Sequence, residues 1–165
     1  MKQYHFLQTV FFTFLLASIP ASSIWAQTGT SQKLKSKKVV EYYQDSTNKH
    51  IKYEYTVVLI DSAPFELKNG QYKWYYEDGK LKARSWFVMG QRDSLYTSYF
   101  RSGGLKEEVI YRQGKLNGTG KTFYPGGGIE NIGEYVNDQK DGVWKYYEGG
   151  VLIRTEKWDK GKKLP

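Results

Sequence analysis

The sequence predicts an all-β fold in which consecutive β-hairpins form an antiparallel meander. The first observation is composition: 17% of the 165 residues are aromatic, and rings favour strands. The second is a repeat, because Gly79, Gly103, Gly127 and Gly150 follow one another at intervals of 24, 24 and 23 residues. The third is that glycine recurs about every dozen residues across this region, which leaves no uninterrupted window for a stable helix.

The first 26 residues have the features of an export signal. Lys2 gives a positive start, the stretch "FLQTVFFTFLLASI" is apolar, and the small residue Ala26 marks a cleavage point. The alternative is an uncleaved membrane anchor, but Pro20 ends the apolar run before the roughly 20 residues that a spanning helix needs. We therefore predict a signal peptide over residues 1–26 and a mature chain without a transmembrane segment. The predicted location is the periplasm or the outside of the cell.

Two further segments precede the repeats. Residues 27–38, "QTGTSQKLKSKK", combine lysines with Ser, Thr and Gly, and this composition predicts a flexible linker. Residues 39–69 contain "VVEYYQDS" and "HIKYEYTVVLI", two runs rich in β-branched and aromatic residues around an Asp/Ser/Asn turn. They predict a diverged hairpin that caps the first edge of the sheet, because a bare strand edge invites aggregation.

Residues 70–165 divide into four units of about 24 residues, and each unit predicts one hairpin. Short alternating runs such as "YKWYYE" end in "EDGK", "RSGG", "PGGG" or "EGGV", where glycine supplies the positive φ of a tight reversal. Matched positions surround the four turn glycines: an aromatic three residues before, a branched aliphatic two after and another aromatic eight after. These are Tyr76, Phe100, Tyr124 and Tyr147, then Leu81, Leu105, Ile129 and Leu152, then Phe87, Tyr111, Tyr135 and Trp158.

The segments "GQYKWYYEDGKLKARSWFVMGQ" and "GVWKYYEGGVLIRTEKWDKGK" resemble the bacterial MORN repeat variant. Ser94, Asp138 and Gly120 depart from its pattern. The resemblance implies an elongated, twisted antiparallel sheet of consecutive hairpins. Some bacterial members of the family are labelled as antitoxins of toxin–antitoxin modules. A cytoplasmic antitoxin would not need the predicted signal peptide. An antitoxin-like or immunity-like role is therefore one interpretation of the resemblance.

Strand alternation assigns residues to two faces of the predicted sheet. The first face is predicted to carry the core. It contains Tyr72 and Trp74, the branched aliphatic residue two positions after each turn glycine and the aromatic residue eight positions after it. The second face carries a row of rings at 24-residue intervals beside basic residues. This row is the candidate partner-binding surface: Tyr75, Tyr99, Phe123, Lys73, Arg101 and Lys121. The alternative is that these rings only pack against neighbouring strands.

Enzyme chemistry finds no support in the residues available. The chain has no cysteine, and His50 is the only histidine of the predicted mature chain. Glu107 and Glu108 are adjacent on a predicted strand, so they face opposite ways and cannot act as an acid–base pair. We predict no catalytic, cofactor or metal site. Nucleic acid is not an expected partner, because the net charge of +8 falls to +3 once Lys2 of the predicted signal peptide and the four lysines of the predicted linker are set aside.

The sequence therefore predicts an exported, non-catalytic repeat protein that acts as a protein-interaction module or scaffold. Its expected partner is another protein, either a toxin or a component of the cell envelope. The alternative is a protein that binds envelope material. In that case the ring row would bind a glycan, or the lysines of the linker would bind an anionic membrane surface.

Overall fold

The computed structural model describes residues 35–44, 50–60 and 66–165. Every regular element among these residues is a strand, and the strands form one open antiparallel sheet in which each strand pairs with its neighbours in the chain. The predicted all-β hairpin meander is confirmed. In order, the strands are β1 (Lys35–Tyr42), β2 (Ile51–Leu59), β3 (Glu66–Tyr75), β4 (Leu81–Val88), β5 (Gln91–Tyr99), β6 (Leu105–Arg112), β7 (Lys115–Phe123), β8 (Ile129–Val136), β9 (Gln139–Glu148), β10 (Val151–Asp159) and β11 (Lys162–Lys163).

The N-terminal boundary differs from the prediction. The signal peptide predicted over residues 1–26 and the first part of the predicted linker lie outside the described residues. Strand β1 begins at Lys35, so the last four residues of the predicted linker are part of the sheet, with Lys35 opposite Leu59. The composition of this segment did not reveal the acidic partners: Lys38 Nζ lies 2.8 Å from Glu54 Oε1, and Lys37 Nζ lies 3.4 Å from Glu66 Oε1.

Two kinds of reversal connect the strands of the repeats. Four two-residue turns have both residues at positive φ, as type I′ hairpin turns require: Met89–Gly90, Gln113–Gly114, Asn137–Asp138 and Lys160–Gly161. At the opposite end of the strands, longer turns follow the aromatic that precedes each turn glycine. In the first of them the N–H of Gly79 donates to the carbonyl oxygen of Tyr76 at 2.9 Å. The turn chemistry predicted from glycine spacing is therefore present at both ends.

A one-residue bulge in each unit decides which side chains share a face. Trp74 lies opposite Ala83, but Tyr75 lies opposite Leu81, so Lys82 is an extra residue. The same shift recurs at Lys106, Glu130 and Ile153. Cross-strand partners point to the same side of a sheet, so the predicted placement of the aliphatic row beside Tyr72 and Trp74 is wrong. Leu81, Leu105, Ile129 and Leu152 instead share the second face with the ring row.

The other face, which we call the core face, carries Tyr72, Ala83, Val109 and Trp144, all of them buried. Tyr72 packs on Tyr55 with 4.6 Å between ring centroids and an interplanar angle of 10°. Glycines leave room for the rings further along the sheet: a Cβ added at Gly133 would overlap the indole of Trp144. The ring contacts thus cover this face in place of a second layer, and Tyr72, Phe87 and Trp144 are buried by their neighbours.

Candidate functional site

Four cross-strand pairs of an aromatic and an aliphatic side chain form a row across the second face near the longer turns. It takes one residue from each of eight consecutive strands, β3 to β10, and aromatic and aliphatic positions alternate. We call it the interaction row: Tyr75, Leu81, Tyr99, Leu105, Phe123, Ile129, Tyr147 and Leu152. Seven of the eight are half-buried, and Leu152 at the end is exposed. Because strands are spaced about 4.8 Å apart, the row extends roughly 34 Å, with rings about 9.6 Å apart.

The three predicted rings and the two predicted lysines lie on the same face. Tyr75, Tyr99 and Phe123 belong to the interaction row itself. Lys73 and Lys121 precede it by two residues and lie opposite Arg84 and Ile132 in the next strand. They belong to a second, mixed row that also contains Glu54, Arg84, Thr97, Glu108 and Lys145. This flanking row has four basic and two acidic side chains, so one flank of the interaction row is basic.

Arg101 lies apart from the strands, in the turn that follows β5. Its Nε donates to Asp78 Oδ2 of the preceding unit's turn at 3.1 Å, and its guanidinium carbon is 5.8 Å from the ring centroid of Tyr76. A second hydrogen bond connects the same two turns, because Lys80 Nζ donates to the backbone carbonyl oxygen of Arg101 at 3.2 Å. Arg101 therefore links two successive hairpin turns at the border of the interaction row.

The N-terminal end of the interaction row is held by Glu54. The hydroxyl of Tyr75 donates to Glu54 Oε2 at 3.1 Å, and Glu54 Oε1 contacts Lys38 Nζ at 2.8 Å and Lys73 Nζ at 3.9 Å. The hydrogen bond from Lys38 is the main cause that lowers the pKa of Glu54. Burial and the bond to Glu54 raise the pKa of Tyr75. Tyr75 is thus partly structural, whereas Tyr99 and Phe123 lie in the middle of the row.

Sequence reasoning missed a row of long side chains on the core face. Lys68, Arg92, Leu116 and Lys140 are 24 residues apart, and three of them are basic. The guanidinium carbon of Arg92 lies 5.4–5.9 Å from the centroids of four rings, those of Trp74, Phe87, Tyr96 and Tyr111. Lys68 Nζ is 4.3 Å from the ring of Tyr72, and Lys140 Nζ is 4.2 Å from that of Trp144. The 24-residue interval was the signal that could have revealed these cation–π contacts.

A shallow cavity of about 340 Å³ lies beside the turns of the second and third units, lined by Phe100, Lys106, Glu107, Thr122, Phe123, Tyr124, Pro125 and Glu130. Burial raises the pKa of Glu107. Thr122 Oγ1 donates to Glu130 Oε2 at 2.9 Å, which occupies part of that carboxylate. Apart from Thr122, the lining consists of aromatic rings, a proline and charged side chains, and the rings give it the chemistry of a contact surface.

The residues weighed for catalysis are separated. Glu107 lies opposite Ser98 and Thr122, whereas Glu108 lies opposite Thr97 and Lys121, so the two carboxylates are on opposite faces. A ring nitrogen of His50 hydrogen-bonds with the backbone carbonyl of Glu77. Within residues 35–44, 50–60 and 66–165, no three His, Asp or Glu side chains come close enough together to hold a metal ion.

Comparisons with known proteins agree with the repeat pattern. Neither a curated protein nor a solved structure matches the chain. The part of the chain that the structure describes has no helix of the length and apolarity needed to cross a membrane. A family model described as the MORN repeat variant matches residues 68–85, in β3 and β4, and residues 116–137, in β7 and β8. The resemblance is confirmed at these two segments, and the chain is a repeat protein that contains MORN repeat variants, a type of repeat that acts in binding.

Proposed function

We propose that this protein is a non-catalytic interaction module that binds another protein along the interaction row. The observation that carries the proposal is the row itself, which presents apolar side chains from eight consecutive strands on the face opposite the core. A partner lying across the strands would meet a ring at every second strand, and aromatic side chains supply much of the energy of protein interfaces.

The flank of the interaction row supports a particular partner chemistry. Lys73, Arg84, Lys121 and Lys145 outnumber Glu54 and Glu108 in the neighbouring row. Glu54 is already paired with Lys38 and Lys73. The complementary surface is an apolar strip bordered by acidic residues, because complementary charges steer association and select the partner.

The proposal includes export, which rests on the signal peptide predicted from Lys2, the apolar stretch and Ala26. The partner would then be a toxin or an envelope component that the protein meets in the periplasm or outside the cell. An antitoxin-like or immunity-like role fits this scheme as capture of an exported toxin. Signal cleavage after Ala26, detected by N-terminal sequencing of the protein from its host, tests the export step separately.

The binding step is tested by comparing the full chain with Tyr99→Ala and Leu105→Ala, two opposite positions in the middle of the row. The matched control is Val136→Ala, an exposed residue outside the row. We expect a protein from an envelope extract to bind wild type and the control in fixed stoichiometry. Each row substitution should weaken this binding by about tenfold, as truncation of a central interface side chain does.

Three outcomes contradict this proposal. Equal binding by the row variants and wild type would place the partner elsewhere on the molecule. Stoichiometric capture of polysaccharide, lost in Tyr99→Ala, would mean that the rings bind a glycan. Binding to anionic vesicles that weakens steeply with salt and disappears when residues 27–38 are deleted would mean that the lysines of this segment bind lipid.

A further inference from the structure

The outer edge of β10 is open along most of its length. On its inner side β10 pairs with β9 from Val151 to Trp158. On its outer side β11 contacts only the last part, with Trp158 opposite Lys163 and Asp159 opposite Lys162. Among the described residues, no strand pairs with the outer edge of residues 151–156. Such an edge presents backbone N–H and C=O groups that another strand can bind.

Apolar side chains are concentrated at this open edge. Val151, Leu152 and Ile153 are 67%, 48% and 58% exposed, and they are consecutive. The opposite edge of the sheet, β1, carries Lys35, Lys37 and Lys38, which discourage strand pairing. Among the described residues, the exposed apolar side chain of β1 is Tyr42 at the end of that strand, whereas the β10 edge combines free backbone groups with three consecutive exposed aliphatic side chains. Such a combination favours docking of a strand.

Charge distinguishes between a second copy and another protein as the occupant. From residue 154 onward, five basic side chains accompany Glu156 and Asp159: Arg154, Lys157, Lys160, Lys162 and Lys163. Glu156 is already occupied, because it contacts Lys163 Nζ at 2.8 Å and Arg154 Nε at 3.4 Å. Two basic edges repel each other, and three exposed aliphatic side chains per copy form a smaller patch than stable dimers require. An acidic strand of another protein is the complementary occupant.

We propose that residues 151–156 of β10 accept an extended, acidic and β-branched segment of another protein as an additional strand of the sheet. Backbone hydrogen bonds would supply the pairing, the exposed aliphatic side chains the apolar contact, and the basic residues of β10 and β11 the preference for acidic sequences. This site goes beyond the interaction row, because it binds through the backbone of one edge rather than through the side chains of a face.

The test uses the full chain and a short synthetic peptide that alternates Glu with Val and Thr. Binding is followed by fluorescence anisotropy of the labelled peptide, and the binding site by hydrogen exchange of backbone amides. We expect slower exchange at residues 151–156 when the peptide is present. Two control peptides should fail to bind: one with Lys in place of every Glu, and one with the same sequence but N-methylated peptide bonds, which cannot complete a ladder.

Variants at the edge separate backbone pairing from other binding. The carbonyl oxygen of Lys157 accepts from Leu164 and therefore faces outward, so by alternation Thr155 presents its N–H to the open edge. Thr155→Pro removes this donor at a position that an edge strand tolerates, and we expect about tenfold weaker binding than in Thr155→Ala. Ile153→Lys adds a cation but removes an apolar contact and should also weaken binding, whereas Tyr99→Ala in the interaction row should not.

Several results would overturn the proposal. Equal affinity for the N-methylated peptide would show that no strand is added. Protection of amides in β1 or along the interaction row, with residues 151–156 unchanged, would place the peptide elsewhere. A concentration-dependent dimer in sedimentation, converted to monomer by Ile153→Lys, would identify a second copy as the occupant. Loss of peptide binding in Tyr99→Ala with retention in Thr155→Pro would assign the peptide to the interaction row.

Discussion

The hydroxyl of Tyr76 donates a hydrogen bond to the backbone carbonyl oxygen of Tyr99 at 2.7 Å, which links one hairpin to the next. Tyr124 makes the same bond with the carbonyl oxygen of Tyr147 at 2.8 Å. Both acceptors are aromatic residues of the interaction row. The ends of the hairpins are therefore connected by the side chains that precede their turns, and this connection fixes the backbone from which the row projects.

Removal of one of these hydroxyls should destabilise the sheet. In Tyr124→Phe the ring remains and the carbonyl oxygen of Tyr147 loses its donor, so we expect the free energy of unfolding to fall by about 1 kcal/mol. Urea unfolding followed by tryptophan fluorescence measures this change. Phe100 occupies the equivalent position of the second unit and has no hydroxyl. Phe100→Tyr should therefore raise stability, by up to about 1 kcal/mol.

The outcome is informative in either direction. An unchanged midpoint for Tyr124→Phe would mean that water satisfies the carbonyl oxygen of Tyr147 equally well. A destabilising Phe100→Tyr would mean that the turn of the second unit cannot place a hydroxyl where Tyr76 and Tyr124 place theirs.

The sequence predicted the hairpin order because its cause is local. Glycines at fixed intervals set the turns, and each strand then pairs with the next one along the chain. The faces depended on pairing between strands, which composition does not reveal. One extra residue at Lys82 moved Leu81 from the predicted core face to the face of Tyr75. The contacts around Arg92 were missed for a related reason, since the rings that surround it come from neighbouring strands.

The interaction row was only partly predictable. The 24-residue interval identified Tyr75, Tyr99 and Phe123, but the shorter last unit left Tyr147 without an assigned face. The structure shows that Tyr147 lies opposite Leu152, which makes it the fourth ring of the row. The open edge of β10 was not predictable, because the pairing of β11 with only two residues of β10 depends on where that short strand ends.

Ser94 occupies a position where a side chain is strained. Its φ is 62°, and the equivalent residues of the other three units are Gly70, Gly118 and Gly142, all at positive φ. A left-handed conformation costs an L-residue about 1–2 kcal/mol, part of which glycine loses again as backbone entropy. We therefore expect Ser94→Gly to raise the free energy of unfolding by roughly 0.5–1 kcal/mol.

The reverse change tests the same position in the third unit. Gly118 has φ of 129°, and an added Cβ would lie 3.1 Å from Cβ of Ile110. Gly118→Ala should destabilise by about 1–3 kcal/mol, since strain and crowding act together. If Ser94→Gly lowered stability instead, the hydrogen bond from Ser94 Oγ to Asp93 Oδ2 at 2.9 Å would outweigh the backbone strain.

Gly133 is required by the indole that lies over it. A Cβ at this position would overlap the ring of Trp144, which is 2% exposed and has little space to move. Gly133→Ala should lower the free energy of unfolding by about 1–3 kcal/mol, the usual cost of overpacking a core. Thermal unfolding should show the loss together with a change in the fluorescence of Trp144. The matched control is Gly126→Ala, where an added Cβ meets nothing within 4 Å and stability should hardly change.

Glu156 makes the stability of the C-terminal end depend on pH. Its carboxylate accepts from Lys163 Nζ at 2.8 Å, from Tyr146 at 2.8 Å and from the indole of Trp158 at 3.2 Å. The bonds from Lys163 and Tyr146 lower the pKa of Glu156 from 4.5 to about 2, with the largest effect from Lys163 and the next from Tyr146. A carboxyl whose pKa is lower in the folded state stabilises the fold above its unfolded pKa and loses this effect as pH falls.

We therefore expect the urea concentration at the unfolding midpoint of wild type to decrease as the pH is lowered from 4.5 to about 2. These two values are the unfolded and folded pKa of this carboxyl. Glu156→Gln should lower the midpoint at neutral pH and reduce its dependence on pH in that interval, because an amide keeps the shape and cannot ionise. Glu148→Gln, in an exposed position of β9, is the control and should keep the dependence of wild type. Equal acid dependence in wild type and Glu156→Gln would show that other carboxyls determine the acid stability of the sheet, and that the bonds from Lys163 and Tyr146 are replaced by water at little cost.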